Sequence, residues 1–331
     1  MLDRVLGLAS AVSIGIGTLA GPADPGSRVD LRFDDPAIVE SSGLVVAGGL
    51  FVTVNDSGDS GRIFVVDGAG ATVGTTSWAD DPVDVEALAP AGPRAVWVGD
   101  IGDNGADRDS VEVLRVPYGR GDRTVDPAAY TLVYPDHGHD AETLLAHPRT
   151  GQLFVVTKNI FGGTVYAAPR RLSADRPNRL RPVADSLAIA TDGAFLPDGR
   201  HYLVRDYGSA AVYTFPDHER VASFRLPDQR QGEGLAVAPD GSVHVSTEGQ
   251  HSAVLDVDLP PAVVKALRPP APAPSTQPSP AVSEPAASPD AEDEDGDGDG
   301  APVWPWVLGG VVVLGFVGAV ARLLTRHGAA A

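Results

Sequence analysis

Five short tags divide the middle of this 331-residue chain into comparable lengths. They are Ser42-Gly43-Leu44, Glu86-Ala87-Leu88, Glu142-Thr143-Leu144, Asp192-Gly193-Ala194 and Glu233-Gly234-Leu235, spaced 44, 56, 50 and 41 residues apart. In each, a serine or acidic residue leads a small and an apolar residue into a turn and a β-rich run. Repetition at this period is the signature of a β-propeller, one blade per repeat, because a single unit cannot bury its own apolar face and must stack on its neighbours.

Strands follow from residue type. Apolar and β-branched runs predict second strands at Phe51–Val54, Val96–Val98, Phe154–Val156, Tyr202–Val204 and Val243–Val245. Third strands are predicted at Arg62–Val66, Val111–Leu114, Thr164–Tyr166, Ala211–Phe215 and Ala253–Val257. Pro148-Arg149-Thr150-Gly151, Pro197-Asp198-Gly199 and Pro239-Asp240-Gly241 supply turns. The last blade lacks a fourth strand of its own, since Leu259-Pro260-Pro261 ends the pattern, while Val29-Asp30-Leu31-Arg32-Phe33 stands before the first tag without a blade. The fold class expected is all-β: a propeller closed by that N-terminal strand, which removes open sheet edges. Five blades are expected, and the long interval from 86 to 142 leaves room for a sixth.

The flanks read differently. Residues 1–23 have the pattern of a signal peptide: Arg4, an apolar stretch from Val5 to Ala20, then small residues near a cleavage site. An uncleaved N-terminal anchor is the alternative. The propeller is expected over 28–262 and a stalk over 263–302. Eight prolines crowd 269–289, and the acidic run Asp290 to Gly300 follows, a composition that cannot form a core. Within it, Asp293-Glu294-Asp295-Gly296-Asp297-Gly298 has the look of a calcium loop, but the closing glutamate would fall at Trp304. Val303 to Ala321 is uncharged throughout, and at about 1.5 Å per residue it spans a hydrocarbon core of about 30 Å. A transmembrane helix is expected over 303–323 and a cytoplasmic tail over 324–331, because Arg322 and Arg326 follow the span at once. The expected protein is a single-pass cell-membrane protein with a monomeric propeller outside.

Charge and composition narrow the function. The net charge is −19, and the eight stalk acids leave −11 on the rest. With no basic patch to neutralise phosphates, nucleic acid is not an expected partner. The chain has no cysteine, which excludes disulfides and cysteine zinc sites, and its eight histidines show no His-x-x-x-His spacing.

The first strand of each propeller blade lines the axis, so Ser42, Glu86, Glu142, Asp192 and Glu233 are expected to face one another there. Four converging carboxylates repel and raise one another's pKa unless a positive group sits among them. A hard cation with oxygen ligands resolves the conflict, and Ca2+ suits a flexible ring outside the cell. Loops after the second strands are expected at the same end, with Asp56, Asp59, Asp100, Asp103, Lys158 and Arg205 among them. His139 is a candidate general base. With Lys158 and Arg205 as an anion clamp, these three form the candidate catalytic set.

The run Glu40-Ser41-Ser42-Gly43-Leu44 with Leu50 to Asp56, then Val85-Glu86-Ala87-Leu88 with Trp97-Val98-Gly99-Asp100, then Ala141-Glu142 and Glu233-Gly234, resembles five-bladed calcium-activated nucleotidases of the apyrase type. In that family one serine or glutamate per blade binds a central calcium. Asp140-Ala141-Glu142-Thr143-Leu144 and Glu233-Gly234-Leu235-Ala236 are also similar to secreted phytase-like esterase propellers. The resemblance spans about residues 30–257 and rests on short motifs. Where apyrases carry an acidic-basic loop after the second strand of the first blade, Asn55-Asp56-Ser57-Gly58-Asp59-Ser60-Gly61 has no basic residue. No Gly-x-Ser-x-Gly elbow is present. Two functions are therefore expected: a calcium-holding module for an unidentified ligand or protein, or a metal-dependent hydrolase of phosphate or carboxylate esters. Convergence of Lys158, Arg205 and His139 at the ring would favour the second.

Overall fold

The computed structural model describes residues 26–56 and 58–268. They form five sheets in sequence order, antiparallel apart from a short parallel strand added to two of them, each starting with a strand that carries a tag. Blade 1 comprises Ser41–Ala47, Leu50–Asn55, Arg62–Asp67 and Thr72–Ser77; blade 2, Val85–Pro90, Ala95–Asp100, Val111–Pro117 and Ala128–Val133. Blade 3 comprises Ala141–Ala146, Leu153–Thr157, Gly163–Ala167 and Arg181–Ser186; blade 4, Asp192–Phe195, His201–Arg205, Ser209–Thr214 and Arg220–Arg225. Blade 5 has Gly232–Val237, Val243–Thr247 and Ala253–Val257, and its outer strand is Ser27–Arg32 from the N-terminal side. The orphan strand thus closes the ring, pairing Arg28 with Asp256 and Leu31 with Val254.

The inner strands contact one another in a closed cycle, blades 1-2-3-4-5-1. No sixth blade occupies the interval from 86 to 142. After its third strand, blade 2 sends the chain back to blade 1, where Arg123–Thr124 adds a short parallel strand beside Thr72–Ser77. Blade 3 does the same to blade 2, with Asn178–Arg179 pairing Leu132–Val133. These two excursions account for the two longest tag intervals.

Five apolar clusters fill the five seams between blades. The second and third strands read as continuous apolar runs because alternate residues serve different seams: Val52, Val54, Ile63 and Val65 face blade 2, whereas Phe51, Phe64 and Val66 face blade 5. Period-2 alternation therefore survives as a choice between two cores rather than between core and water. Leu31 and Phe33 of the closing segment join the blade 5 to blade 1 cluster.

Near the axis the backbones come so close that side chains are excluded. A Cβ at Gly43 would lie 2.3 Å from the Leu88 amide nitrogen, and one at Gly234 would lie 2.3 Å from Ser246 Oγ and 2.9 Å from the Ser42 carbonyl oxygen. The glycines of the tags are thus packing requirements of the ring.

The folded chain runs past residue 262. A short helix, Pro261–Ala266, starts with proline at its first turn and buries Val263 against the blade 4 to blade 5 cluster, with Leu267 packed beside it. Among the described residues no helix is long and apolar enough to cross a membrane. The expected signal peptide, the span and tail at 303–331, and the stalk beyond residue 268 lie outside the described residues.

Candidate functional site

Four of the five inner strands carry a one-residue β-bulge at the tag. Pairing with the second strand slips at Ser42-Gly43, at Glu86, at Glu142 and at Glu233-Gly234. A bulge releases a residue from the ladder and re-aims its side chain. Ser42, Glu86, Glu142 and Glu233 are each at most 6% exposed. They face the end where the second strands finish, since Ser41, Val85, Ala141 and Gly232 pair with Asn55, Asp100, Thr157 and Thr247. The Ser42 hydroxyl donates to the Glu86 carbonyl oxygen at 2.7 Å and lies 3.4 Å from its carboxylate.

The inner strand of blade 4 pairs with its second strand without a bulge. Asp192 pairs directly with Arg205, the register that Ala141 holds opposite Thr157 in blade 3. Its carboxylate accepts the amide hydrogens of Gly193 and Leu235, both at 2.7 Å. Asp192 therefore ties blade 4 to blade 5 through backbone, while the other four tag residues meet around the axis.

The positive group among the acids is Lys158. Its ammonium bonds Glu142 Oε1, and it sits 5.4 Å from the centre of the Tyr207 ring. Burial pulls the lysine pKa down, but the Glu142 carboxylate outweighs this and holds it above the usual range. Burial pushes Glu142 well up against the pull of that ammonium. The other Glu142 oxygen, Oε2, is buried with no hydrogen-bond partner.

A second group of oxygens adjoins the first. One carboxylate oxygen each from Asp56, Asp84 and Glu86 lies within 4.8 Å of the others. Asp84 Oδ1 is also buried without a hydrogen bond. Burial, then Glu142, Asp56 and Asp84, push Glu86 up to about 11. Burial and Asp56 raise Asp84 to about 6, and burial raises Glu233 and Glu248 to about 7. So many buried carboxylates retain protons that a divalent cation would displace. The donors are all oxygen, the set that suits calcium or another hard cation.

The candidate catalytic residues do not converge. Arg205 is wholly buried and donates to the carbonyls of Asp206 and Gly234 at 3.0 Å, Tyr207 at 3.3 Å and Ser246 at 3.4 Å. Four of its five N–H groups go to backbone, and burial lowers its pKa to about 10. His139 Nε2 lies 3.1 Å from Asp136 and 3.0 Å from the Tyr166 hydroxyl. Tyr166 belongs to the third strand of blade 3, two strand spacings or about 10 Å from the inner strand. Of the three, Lys158 is the one that bonds a tag carboxylate, while Arg205 acts on Glu233 and Asp192 through its charge alone.

Several loop acids serve local structure. Asp100 accepts from Val83 and Asp84 amides and pairs with Arg108 at 2.9 Å; Asp103 accepts from the amides of Asp107 and Arg108. Asp59 holds Arg62, and Asp206 caps the turn at Gly208-Ser209. The glycine-rich run Gly99 to Asp107 is thus organised by these bonds. Sequence reasoning missed Asp84 and Tyr207. Asp84 was detectable, since Asp84-Val85-Glu86 places two acids on one face of a strand; Tyr207 carries no such signal.

These features define a five-bladed β-propeller with a cluster of buried acids at one end of its axis. Among solved structures, two described as glucose dehydrogenase each have a TM-score of 0.45 and 11% identity, covering 71% of this chain and 100% of theirs. Glutaminyl cyclase of Myxococcus xanthus gives a TM-score of 0.45 and 11% identity, covering 72% of this chain and 99% of its own. No protein-family model matches the sequence, and no curated protein matches it.

Proposed function

We propose that this propeller is a calcium-holding binding module, displayed outside a membrane by the stalk and the span at Val303–Ala321, whose ligand or protein partner meets the loops around the acidic end. The observation that carries the reading is the convergence of Asp56, Asp84 and Glu86 beside buried, unpartnered oxygens of Asp84 and Glu142. Glu86, Asp84 and Asp56 would hold the ion, with Glu142 and Glu233 adding negative charge behind them. The ion would stabilise the ring by cancelling carboxylate repulsion, since a ligand bound only by the folded state adds RT ln(1 + [L]/Kd) to its stability. Lys158 limits the excess negative charge when the ion is absent.

A module is favoured over a hydrolase by the same geometry. Arg205 is wholly buried and commits four of its five N–H groups to backbone carbonyls, and His139 is engaged with Asp136 and Tyr166. The test is calorimetric titration of the full chain with calcium chloride, beside Glu86→Gln, and assays against nucleotide and ester panels. One calcium per chain, lost in the variant and without turnover, is the expected result. No calcium binding would overturn the metal reading, and turnover abolished by Glu142→Gln would replace the module with the hydrolase.

A further inference from the structure

Asp136, His137 and His139 form a second cluster of ligand atoms, outside the acidic ring and of different chemistry. One oxygen or nitrogen from each lies within 4.8 Å of the others. We infer that this turn is a zinc site, binding Zn2+ through the Asp136 carboxylate and the imidazoles of His137 and His139.

Spacing comes first. Zinc holds nitrogen and oxygen donors at about 2.0–2.2 Å in a tetrahedron, which sets neighbouring donors about 3.4 Å apart. His139 Nε2 lies 3.1 Å from Asp136 Oδ1, and His137 Nε2 lies 3.8 Å from Asp136 Oδ2. Both imidazoles turn their Nε2 atoms toward one carboxylate, and the two rings lie 4.3 Å apart.

The supporting contacts fit as well. His137 Nδ1 is 2.7 Å from the Gly138 carbonyl oxygen, so Nδ1 carries the hydrogen and Nε2 presents its lone pair. The ring of His139 is held against Tyr134 and Tyr166, with centroids 4.9 and 5.4 Å away. The Tyr166 hydroxyl, 3.0 Å from Nε2, gives up that bond when the ion arrives and then lies beside its fourth position. Asp136 and His137 are largely exposed, which leaves the fourth position open to water.

The backbone between the two histidines is fixed by the fold. A Cβ at Gly138 would lie 2.6 Å from Asp103 Oδ2 and 2.9 Å from both the Ala106 carbonyl carbon and the Arg108 carbonyl oxygen. Only glycine lets this turn press against the loop of blade 2, so the backbone that carries the two imidazoles is set in place before any ion binds. Two nitrogen donors with one carboxylate select zinc and late first-row divalent ions over calcium.

The experiment is zinc titration of the full-length, tag-free chain in competition with a chromophoric chelator, and cobalt substitution read by visible absorption. Expected are one high-affinity zinc per chain, a tetrahedral cobalt spectrum, and a loss of affinity of at least about tenfold in His137→Ala and in His139→Ala. Glu86→Gln, which alters only the axial acids, is expected to leave zinc binding intact. Equal zinc affinity in the wild type and in the double variant His137→Ala/His139→Ala would overturn the assignment. So would an octahedral, water-like cobalt spectrum. A melting curve showing that the double variant is folded keeps a loss of binding interpretable.

Discussion

Replacing Arg205 with methionine removes the one wholly buried guanidinium among the described residues and keeps most of the apolar stem. Four carbonyl oxygens lose a donor, two at 3.0 Å and two at 3.3 and 3.4 Å. A buried acceptor left unsatisfied costs about 1–3 kcal/mol, and the two short bonds dominate. The change also strips a positive charge from the surroundings of Asp192 and Glu233. Breaking a buried charged network in this way costs about 3–5 kcal/mol, a large fraction of the 5–15 kcal/mol that holds a typical domain together. Equilibrium urea unfolding at pH 7 measures it. Arg205→Lys is the informative companion, because it restores the charge but only one of the fork's directions. It should recover less than half of the loss. A deficit below about 1 kcal/mol for Arg205→Met would refute the reasoning, since it would mean that water takes over the carbonyls.

Removing the ammonium with Lys158→Met should strengthen divalent-cation binding roughly tenfold, about 1.4 kcal/mol, because the lysine charge beside Glu142 and Glu86 opposes that of the cation; weaker calcium binding in titration would count against that opposition. Stability should fall with rising pH in chelator. Burial raises Glu233 from 4.5 to about 7, so between those values the folded chain holds a proton that the unfolded chain has released. The contribution is fully retained below about pH 4.5 and is lost as pH climbs toward 7. Urea midpoints at pH 5 and 7.5 check the sign, and added calcium should flatten the difference; an unchanged slope with calcium would separate the two effects. Gly43→Ala forces a Cβ to within 2.8 Å of two backbone atoms of blade 2 and should cost about 1–3 kcal/mol, seen as a lower melting temperature. An unaltered melting curve would show that the inner strands have slack.

The blade count and the closing strand were legible because each depends on local pattern: a repeated tag, β-branched runs, turn residues, and one strand too many at the start. The excursions were not, since Arg123–Thr124 and Asn178–Arg179 are two-residue strands whose only definition is the neighbouring blade they join. The acidic ring was legible as a list of aligned residues, yet alignment could not reveal that blade 4 lacks the bulge. A bulge is a difference between two strands' registers, so Asp192 resembles Glu86 and Glu142 in sequence while occupying a different place. Side-chain bonding was the least visible. Nothing in the order of residues distinguishes the Lys158 ammonium that enters the acids from the Arg205 guanidinium spent on carbonyls.

The closing strand also sets a timetable. Arg28 meets Asp256, 228 residues later, and no other strand in the described chain completes blade 5. At a synthesis rate of about 5–20 residues per second, Ser27–Arg32 waits roughly 10 to 45 seconds for its partner. During that time it is an unpaired edge beside a half-built ring. Its sequence, Ser-Arg-Val-Asp-Leu-Arg, alternates charge with apolar side chains, and charged residues on a waiting edge discourage it from pairing with another chain. Completion of blade 5 thus joins the first strand of the described residues to the last.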